Sequence, residues 1–267
     1  MTSHEAFQAG RLTEAIELAT DTVRNSPTDT DARSFLAVLL CFAGEWERAD
    51  KQLDSVKLQS TELAIGISLV RQLIRAEQAR DDFFNVGRVP EVTNEPSEHL
   101  QLTLRASVEQ REGKLAEAAV LIASAEEKRP TVTGAHGEQE FSGIRDLDDL
   151  LAGVCEVLTS NGKYYLVPFD QIVLLEFKPP EKPLDLLWRQ ARMIVDDGPD
   201  GEVYIPVLYH SSSVSGDEQL RMGRATDWVG DDSGPVRGVG QRELLLGDDT
   251  HSLLALGTIT RQDGSKS

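Results

Sequence analysis

The chain has 267 residues, with 27 Lys and Arg against 45 Asp and Glu, a formal charge of −18. Such a carboxylate excess repels nucleic-acid phosphates and selects a basic protein surface as partner. At 40% hydrophobic and 27% charged, the composition is that of a globular protein, which excludes wholesale disorder, and the length allows two domains.

Residues 1–10 are polar, without an apolar leader core, and no run approaches the roughly 18 apolar residues of a membrane span, so the chain reads as cytoplasmic. The next signal is a repeat. Gly10-Arg11-Leu12-Thr13-Glu14-Ala15, Gly44-Glu45-Trp46-Glu47-Arg48-Ala49 and Gly113-Lys114-Leu115-Ala116-Glu117-Ala118 share the form Gly-x-large-x-x-Ala. The first two glycines lie 34 residues apart and the last two 69, close to one and two tetratricopeptide periods. Glycine permits a left-handed turn between two helices, and the small alanine lets the second approach the first. Pro27 and Pro130 each stand twelve residues after the motif alanine, where they stop the second helix.

Phe35, Leu36, Leu39, Leu40 and Phe42 have the spacing of a helix that buries one face. The expected third unit is degenerate. Leu63, Ile67, Val70, Leu73 and Ile74 predict one longer helix instead, capped by Thr61 and ended by Gly87 and Pro90. A further helix starts near Pro96 and runs to the turn at Gly113, giving six or seven helices over residues 1–130.

Gly134 and Gly137 mark the boundary. Beyond it, Asp146 is expected to begin a helix carrying Leu147, Leu150, Leu151, Val154 and Leu158, with Asp146, Asp148 and Asp149 as its capping acids, stopped by Asn161-Gly162. Strands are predicted at 164–167, 172–177, 191–195 and 203–209, with 197–201 as a hairpin turn. Residues 242–246 and 252–259 are predicted to form another hairpin, and the tail from Arg261 to be frayed.

Chemistry-bearing motifs are missing. The sequence has no phosphate-binding Gly-x-x-x-x-Gly-Lys-Ser/Thr loop, no Gly-x-Ser-x-Gly elbow and no His-Glu-x-x-His helix. Cys41 and Cys155 lie 114 positions apart in apolar stretches and read as reduced core thiols. The five histidines are dispersed, Ser211-Ser212-Ser213 has no assignable base, and the acids of 196–202 read as a solvated turn rather than a calcium loop. No catalytic residue, cofactor site or metal site is therefore assigned.

A family resemblance lies in the second half. Phe141-Ser142-Gly143-Ile144-Arg145-Asp146-Leu147-Asp148, the run from Asn161 to Ile172, and Pro183-Leu184-Asp185-Leu186-Leu187-Trp188-Arg189-Gln190-Ala191 resemble the ImpE family, also called TagJ or SciE. Ile205-Pro206-Val207-Leu208-Tyr209, Arg224-Ala225-Thr226-Asp227-Trp228 and Gly238-Val239-Gly240-Gln241-Arg242 continue the likeness, as do Leu39 to Ala49 and Gly87-Arg88-Val89-Pro90 in the first half. The stretch from Gly230 to Gly234 matches more loosely. These proteins are accessory factors of bacterial type VI secretion. The resemblance implies a non-enzymatic adaptor that binds the N-terminal helix of the small contractile-sheath subunit and assists a ClpV-type unfoldase.

The resulting expectation is a multidomain α and β chain. Residues 1–130 form a tetratricopeptide-like α/α superhelix, and residues 136–267 an α+β domain with a mostly antiparallel, barrel-like sheet. Stacked helix pairs make a groove suited to an amphipathic helix or extended peptide. Repeat spacing places Ser34, Val38, Cys41 and Phe42 on the groove side; alternatively, Tyr164, Tyr165, Trp188 and Trp228 make an aromatic docking pocket. Arg145 with Asp146 and Arg224 with Asp227 are candidate ion pairs between elements. A general peptide-binding scaffold of another cytosolic assembly, or an enzyme with an unrecognised site in the second domain, are the competing readings.

Overall fold

Gly10, Gly44 and Gly113 adopt left-handed backbone conformations, at φ +78°, +71° and +74°, and each joins two helices that pack on one another. The computed structural model describes residues 1–56, 60–230 and 234–262. Helices α1 (Ser3–Gln8) and α2 (Leu12–Asn25), α3 (Thr30–Phe42) and α4 (Trp46–Asp54), and α6 (Glu98–Arg111) and α7 (Leu115–Lys128) make the three pairs. Ala15, Ala49 and Ala118 are fully buried, because a larger side chain there would hold the paired helices apart.

Between the second and third pairs runs α5 (Thr61–Asn85). Ser60, not Thr61, caps it, its hydroxyl accepting the Leu63 N–H at 3.1 Å. Ile67, Leu73, Ile74, Ala76 and Phe83 are buried along it, together with Glu77 and Arg80. It touches α4, α6 and the β domain, so it is the element on which both halves meet. No described helix is long and apolar enough to cross a membrane.

The second half holds thirteen strands among the described residues: β1 (Thr133–His136), β2 (Gln139–Ser142), β3 (Ile144–Asp146), β4 (Val154–Leu158), β5 (Tyr164–Pro168), β6 (Ile172–Phe177), β7 (Trp188–Val195), β8 (Asp200–Pro206), β9 (Thr226–Val229), β10 (Arg237–Gly240), β11 (Glu243–Leu246), β12 (Asp249–Ser252) and β13 (Thr258–Arg261). A short helix, α8 (Glu218–Arg221), precedes β9. The main sheet has the order β2-β1-β13-β6-β7-β8-β4-β5 and its paired strands are antiparallel. Strands β2 and β5 are its two edges, so the sheet is open where a barrel-like one was expected. The β5 edge is covered by Glu91, whose N–H donates to the Tyr164 carbonyl and whose carbonyl accepts from the Leu166 N–H. Smaller sheets, β12-β11-β3 and β10-β9, stand beside it.

The helix expected from Asp146 does not form. That stretch is β3, a 3-10 turn over Asp149–Leu151, and β4. All five residues of β4 are buried, and a strand covered on both faces gives an unbroken apolar run whose members also fall at helical spacing. The last hairpin also differs. Leu246 pairs with Asp249, fixing a tight turn at Gly247-Asp248, so the second strand is β12 rather than 252–259. Leu253 and Leu256 are buried after it, and β13 crosses to the main sheet between β1 and β6. Arg261, expected in a frayed tail, lies in β13 and donates to the Asp170 carbonyl; residues 263–267 and, within the looser stretch, 231–233 are outside the described residues.

Candidate functional site

Two side chains of opposite charge on one face of α5, Glu77 and Arg80, are only 5% and 3% exposed. Burying a charge is costly unless it is paired and hydrogen-bonded, and the partners come from the other half of the chain. Arg80 donates through Nε to Glu156 Oε1 (2.7 Å), through Nη2 to Glu156 Oε2 and the Leu208 carbonyl (2.9 Å each), and through Nη1 to Glu77 Oε1 (2.6 Å). Glu77 Oε2 accepts the indole N–H of Trp188 at 3.0 Å.

From Glu156 in the middle of β4 the network continues. Arg242 Nη1 donates to Glu156 Oε2 (3.0 Å), and its Nη2 and Nε donate to Asp146 Oδ2 (2.6 and 3.1 Å). Tyr164 and Tyr209 donate their hydroxyls to Glu156 (2.8 Å) and Asp146 (3.0 Å). Asp148 caps the 3-10 turn at Leu150 N and takes Arg237 Nε at 2.8 Å. Burial pushes the Glu156 carboxyl up, but the guanidiniums of Arg80 and Arg242 outweigh it and hold the group at about 2. Burial raises Asp146 to about 6 in spite of Arg242, and Asp148 beside it adds to the rise. Burial, then Glu156, raises Tyr164 well above the usual phenol range. The ionised carboxylates and guanidiniums are engaged with one another, which suits a bolt between two domains and not a reacting centre.

Apolar contacts flank the bolt. Trp46 stacks on Trp188 with ring centroids 6.3 Å apart, and Phe83 lies against Tyr164. A residual cavity of about 30 Å³, lined by Cys41, Phe42, Trp46, Trp188 and Tyr209 among others, remains at the seam, close to the room one water needs. Cys41 and Phe42, at the end of α3, thus share this small cavity with side chains of the β domain, and the Phe42 ring also packs against Phe7.

This placement revises the sequence candidates. Cys41 and Phe42 are 1% exposed, and Tyr164 and Trp188 2%; they pack the seam and present no surface. Ser34 is half-buried with its hydroxyl turned back to the Thr30 carbonyl, and Val38 and Tyr165 are half-buried against the core. Only Trp228 stays substantially open, with its ring against Tyr209. The four aromatics do not share one pocket: Tyr164 meets Phe83, Trp188 meets Trp46, and Trp228 meets Tyr209. The suggested ion pairs are also exchanged. Arg145 binds Asp149, Asp146 binds Arg242, Arg224 reaches the Phe7 and Gln8 carbonyls, and Asp227 caps the Trp228 N–H.

Nothing among the described residues assembles a metal cluster. Ser212 is buried and bonded to the Tyr209 carbonyl and the Gly240 N–H, while His210 Nε2 faces Asp81 at 2.7 Å. Asp196, Asp200 and Glu202 are paired with Arg261, Arg192 and Lys178. Both cysteines are free and buried; burial, then Glu77, raises the Cys41 thiol, and burial takes Cys155 to about 12, which removes both as nucleophiles at neutral pH. Beside the seam an open groove of about 820 Å³ remains, lined by Glu45, Trp46, Glu47, Arg75, Asp81 and Asp82 among others.

A tetratricopeptide-type scaffold bolted through a buried ionic seam to an antiparallel β domain defines the class: a two-part protein-binding scaffold. The chain belongs to the ImpE family. The family model described as ImpE protein matches residues 138–260, and the tetratricopeptide repeat model matches residues 6–65. Over 243 residues the chain is 32% identical to the type VI secretion system accessory component TagJ of Pseudomonas aeruginosa PAO1, covering 91% of this chain and 84% of that protein. The crystal structure of a Vibrio parahaemolyticus protein superposes with a TM-score of 0.89 at 29% identity, covering 98% of both chains.

Proposed function

We propose that this chain is an accessory adaptor of a bacterial type VI secretion system, acting in the cytoplasm without covalent chemistry. It holds the N-terminal helix of the small contractile-sheath subunit and so assists a ClpV-type unfoldase in recycling contracted sheath. The observation that carries this reading is the likeness to TagJ along 91% of the chain. The seam agrees with it, since a bolted pair of domains presents a rigid surface that loses little conformational freedom on binding.

Because Cys41 and Phe42 are buried at the seam, the sheath helix takes the open groove beside it. Trp46 supplies its half-buried apolar wall; Glu45 and Asp82 are paired with Arg48 and Arg88 and Asp81 with His210, while Glu47 stands exposed at the rim, where a basic residue of an amphipathic helix can meet it. The test is a pull-down of the small sheath subunit with and without its first helix. Retention only when the helix is present supports the reading, and equal recovery of both forms overturns it. Glu47→Arg, at an exposed position, is expected to weaken capture, and raised salt to weaken it in the unsubstituted protein.

A further inference from the structure

Among the described residues, the β9–β10 ribbon carries one open edge. Trp228 stands opposite Gly238 and Thr226 opposite Gly240. Gly238 N–H donates to Asp148 and Gly240 N–H to Ser212, both away from β9, so these two are non-hydrogen-bonded pairs, and the N–H and C=O groups of Trp228 and Thr226 point outward on the far side. Strand β10 is therefore covered on its other edge by the Asp148 turn and the 210–214 segment, whereas β9 pairs with no further strand among the described residues. Asp227 folds its carboxylate over the outward Trp228 N–H at 2.8 Å, standing in for a missing neighbour.

The surroundings are apolar and open. Trp228 is 37% exposed and Val229 59%. On the β10 side of the ribbon lie two further exposed apolar side chains, Leu115, close to Gly234, and Val214, which lines a cavity of about 350 Å³ with Arg237. An edge strand of this kind is a template for another chain unless something blunts it.

We infer that β9 accepts an extended, basic segment of another protein as an added antiparallel or parallel strand, an interaction separate from the helix groove and independent of the sheath reading. Charge decides the occupant. A second copy is disfavoured, because two chains of −18 each repel and the antiparallel register centred on Asp227 sets two aspartates face to face, where like charges are unfavourable. A lysine or arginine on the incoming strand instead meets Asp227, and an apolar residue beside it covers Val229, which shares a face with Asp227. The incoming carbonyl replaces Asp227 on the Trp228 N–H and frees the carboxylate for that cation.

The probe is a fluorescent peptide of about ten residues with the repeat Lys-Thr-Val-Thr, which sets lysine and valine in turn along one face, titrated by anisotropy into the full chain. Binding is expected, with hydrogen-exchange protection of the Thr226 and Trp228 amides. Thr226→Pro removes an outward donor and also the Thr226 hydroxyl bond to the Gln241 carbonyl; Thr226→Val loses only the second, so Thr226→Pro is expected to weaken binding about tenfold and Thr226→Val to leave it near the unsubstituted level. Asp227→Lys, at an exposed position, is expected to weaken it about fivefold and to gain affinity for the same peptide with glutamate in place of lysine, a reversal that misfolding cannot produce. Equal binding by the unsubstituted, Thr226→Pro and Asp227→Lys proteins, no protection at β9, or dimerisation abolished by Thr226→Pro each overturns the inference. Pull-down of the sheath subunit, run alongside, reads the groove through Glu47 and leaves the two proposals separately testable.

Discussion

Glu156 shows how one residue can govern a fold it does not announce. It sits in Val154-Cys155-Glu156-Val157-Leu158, and a carboxylate in the middle of a fully buried strand demands cations. Removing Arg80, which carries four of the contacts at the seam, leaves Glu77 without a cation, so Arg80→Ala is expected to cost about 3–5 kcal/mol in urea unfolding. The pH dependence has a definite sign. Glu156 titrates at about 2 in the folded chain against an ordinary 4.5, so its stabilisation is complete above pH 4.5 and is lost as pH falls through 2, about 3 kcal/mol in all. Asp146, raised to about 6, works the other way and lowers stability as pH climbs from 3.8 to 6. Glu156→Gln isolates the first effect: the stability gap between the natural protein and this variant should shrink from pH 4.5 towards 2, and a constant gap would show that Glu156 is not held ionised.

Elements made of local pattern were the legible ones. Each Gly-x-large-x-x-Ala segment became the turn of a helix pair, because the left-handed glycine and the close-packed alanine act within a few residues of one another. The stretch 146–158 was misread because a strand buried on both faces loses its period-two signal, and only Gly153 hinted at a break. Candidate contacts failed for a related reason: periodicity showed that Cys41 and Phe42 face inward on α3, but not that strand β7 would come to meet them. Glu77, Arg80, Glu156 and Arg242 left a faint signal, charges embedded in apolar runs, without naming their partners. The turn glycines supply a test at this scale. A Cβ on Gly113 meets nothing within 4 Å, whereas one on Gly44 comes within 2.8 Å of Ser213 Oγ in the other domain. Gly113→Ala should cost only the left-handed strain of about 1–2 kcal/mol, and Gly44→Ala more; equal midpoint shifts in urea would mean that the Gly44 turn does not bear on Ser213.

At the scale of the molecule, the seam makes two sequence-legible parts behave as one body. Ties between the helical part and the β domain are spread along the chain, among them Arg224 on the carbonyls ending α1, Glu218 on the Thr13 N–H at the start of α2, the Arg80–Glu156 pair on α5, and Glu91 on the β5 edge. Cooperativity follows directly. If the buried network holds the halves together, heating the full chain should give one calorimetric transition whose van't Hoff and calorimetric enthalpies agree. Arg80→Ala should lower the midpoint of that single transition without splitting it, because one buried apolar cluster runs through both halves while the charged seam loses its compensation. Two transitions in the unsubstituted protein would mean that the network follows the packing of the domains and does not bind them into one unit.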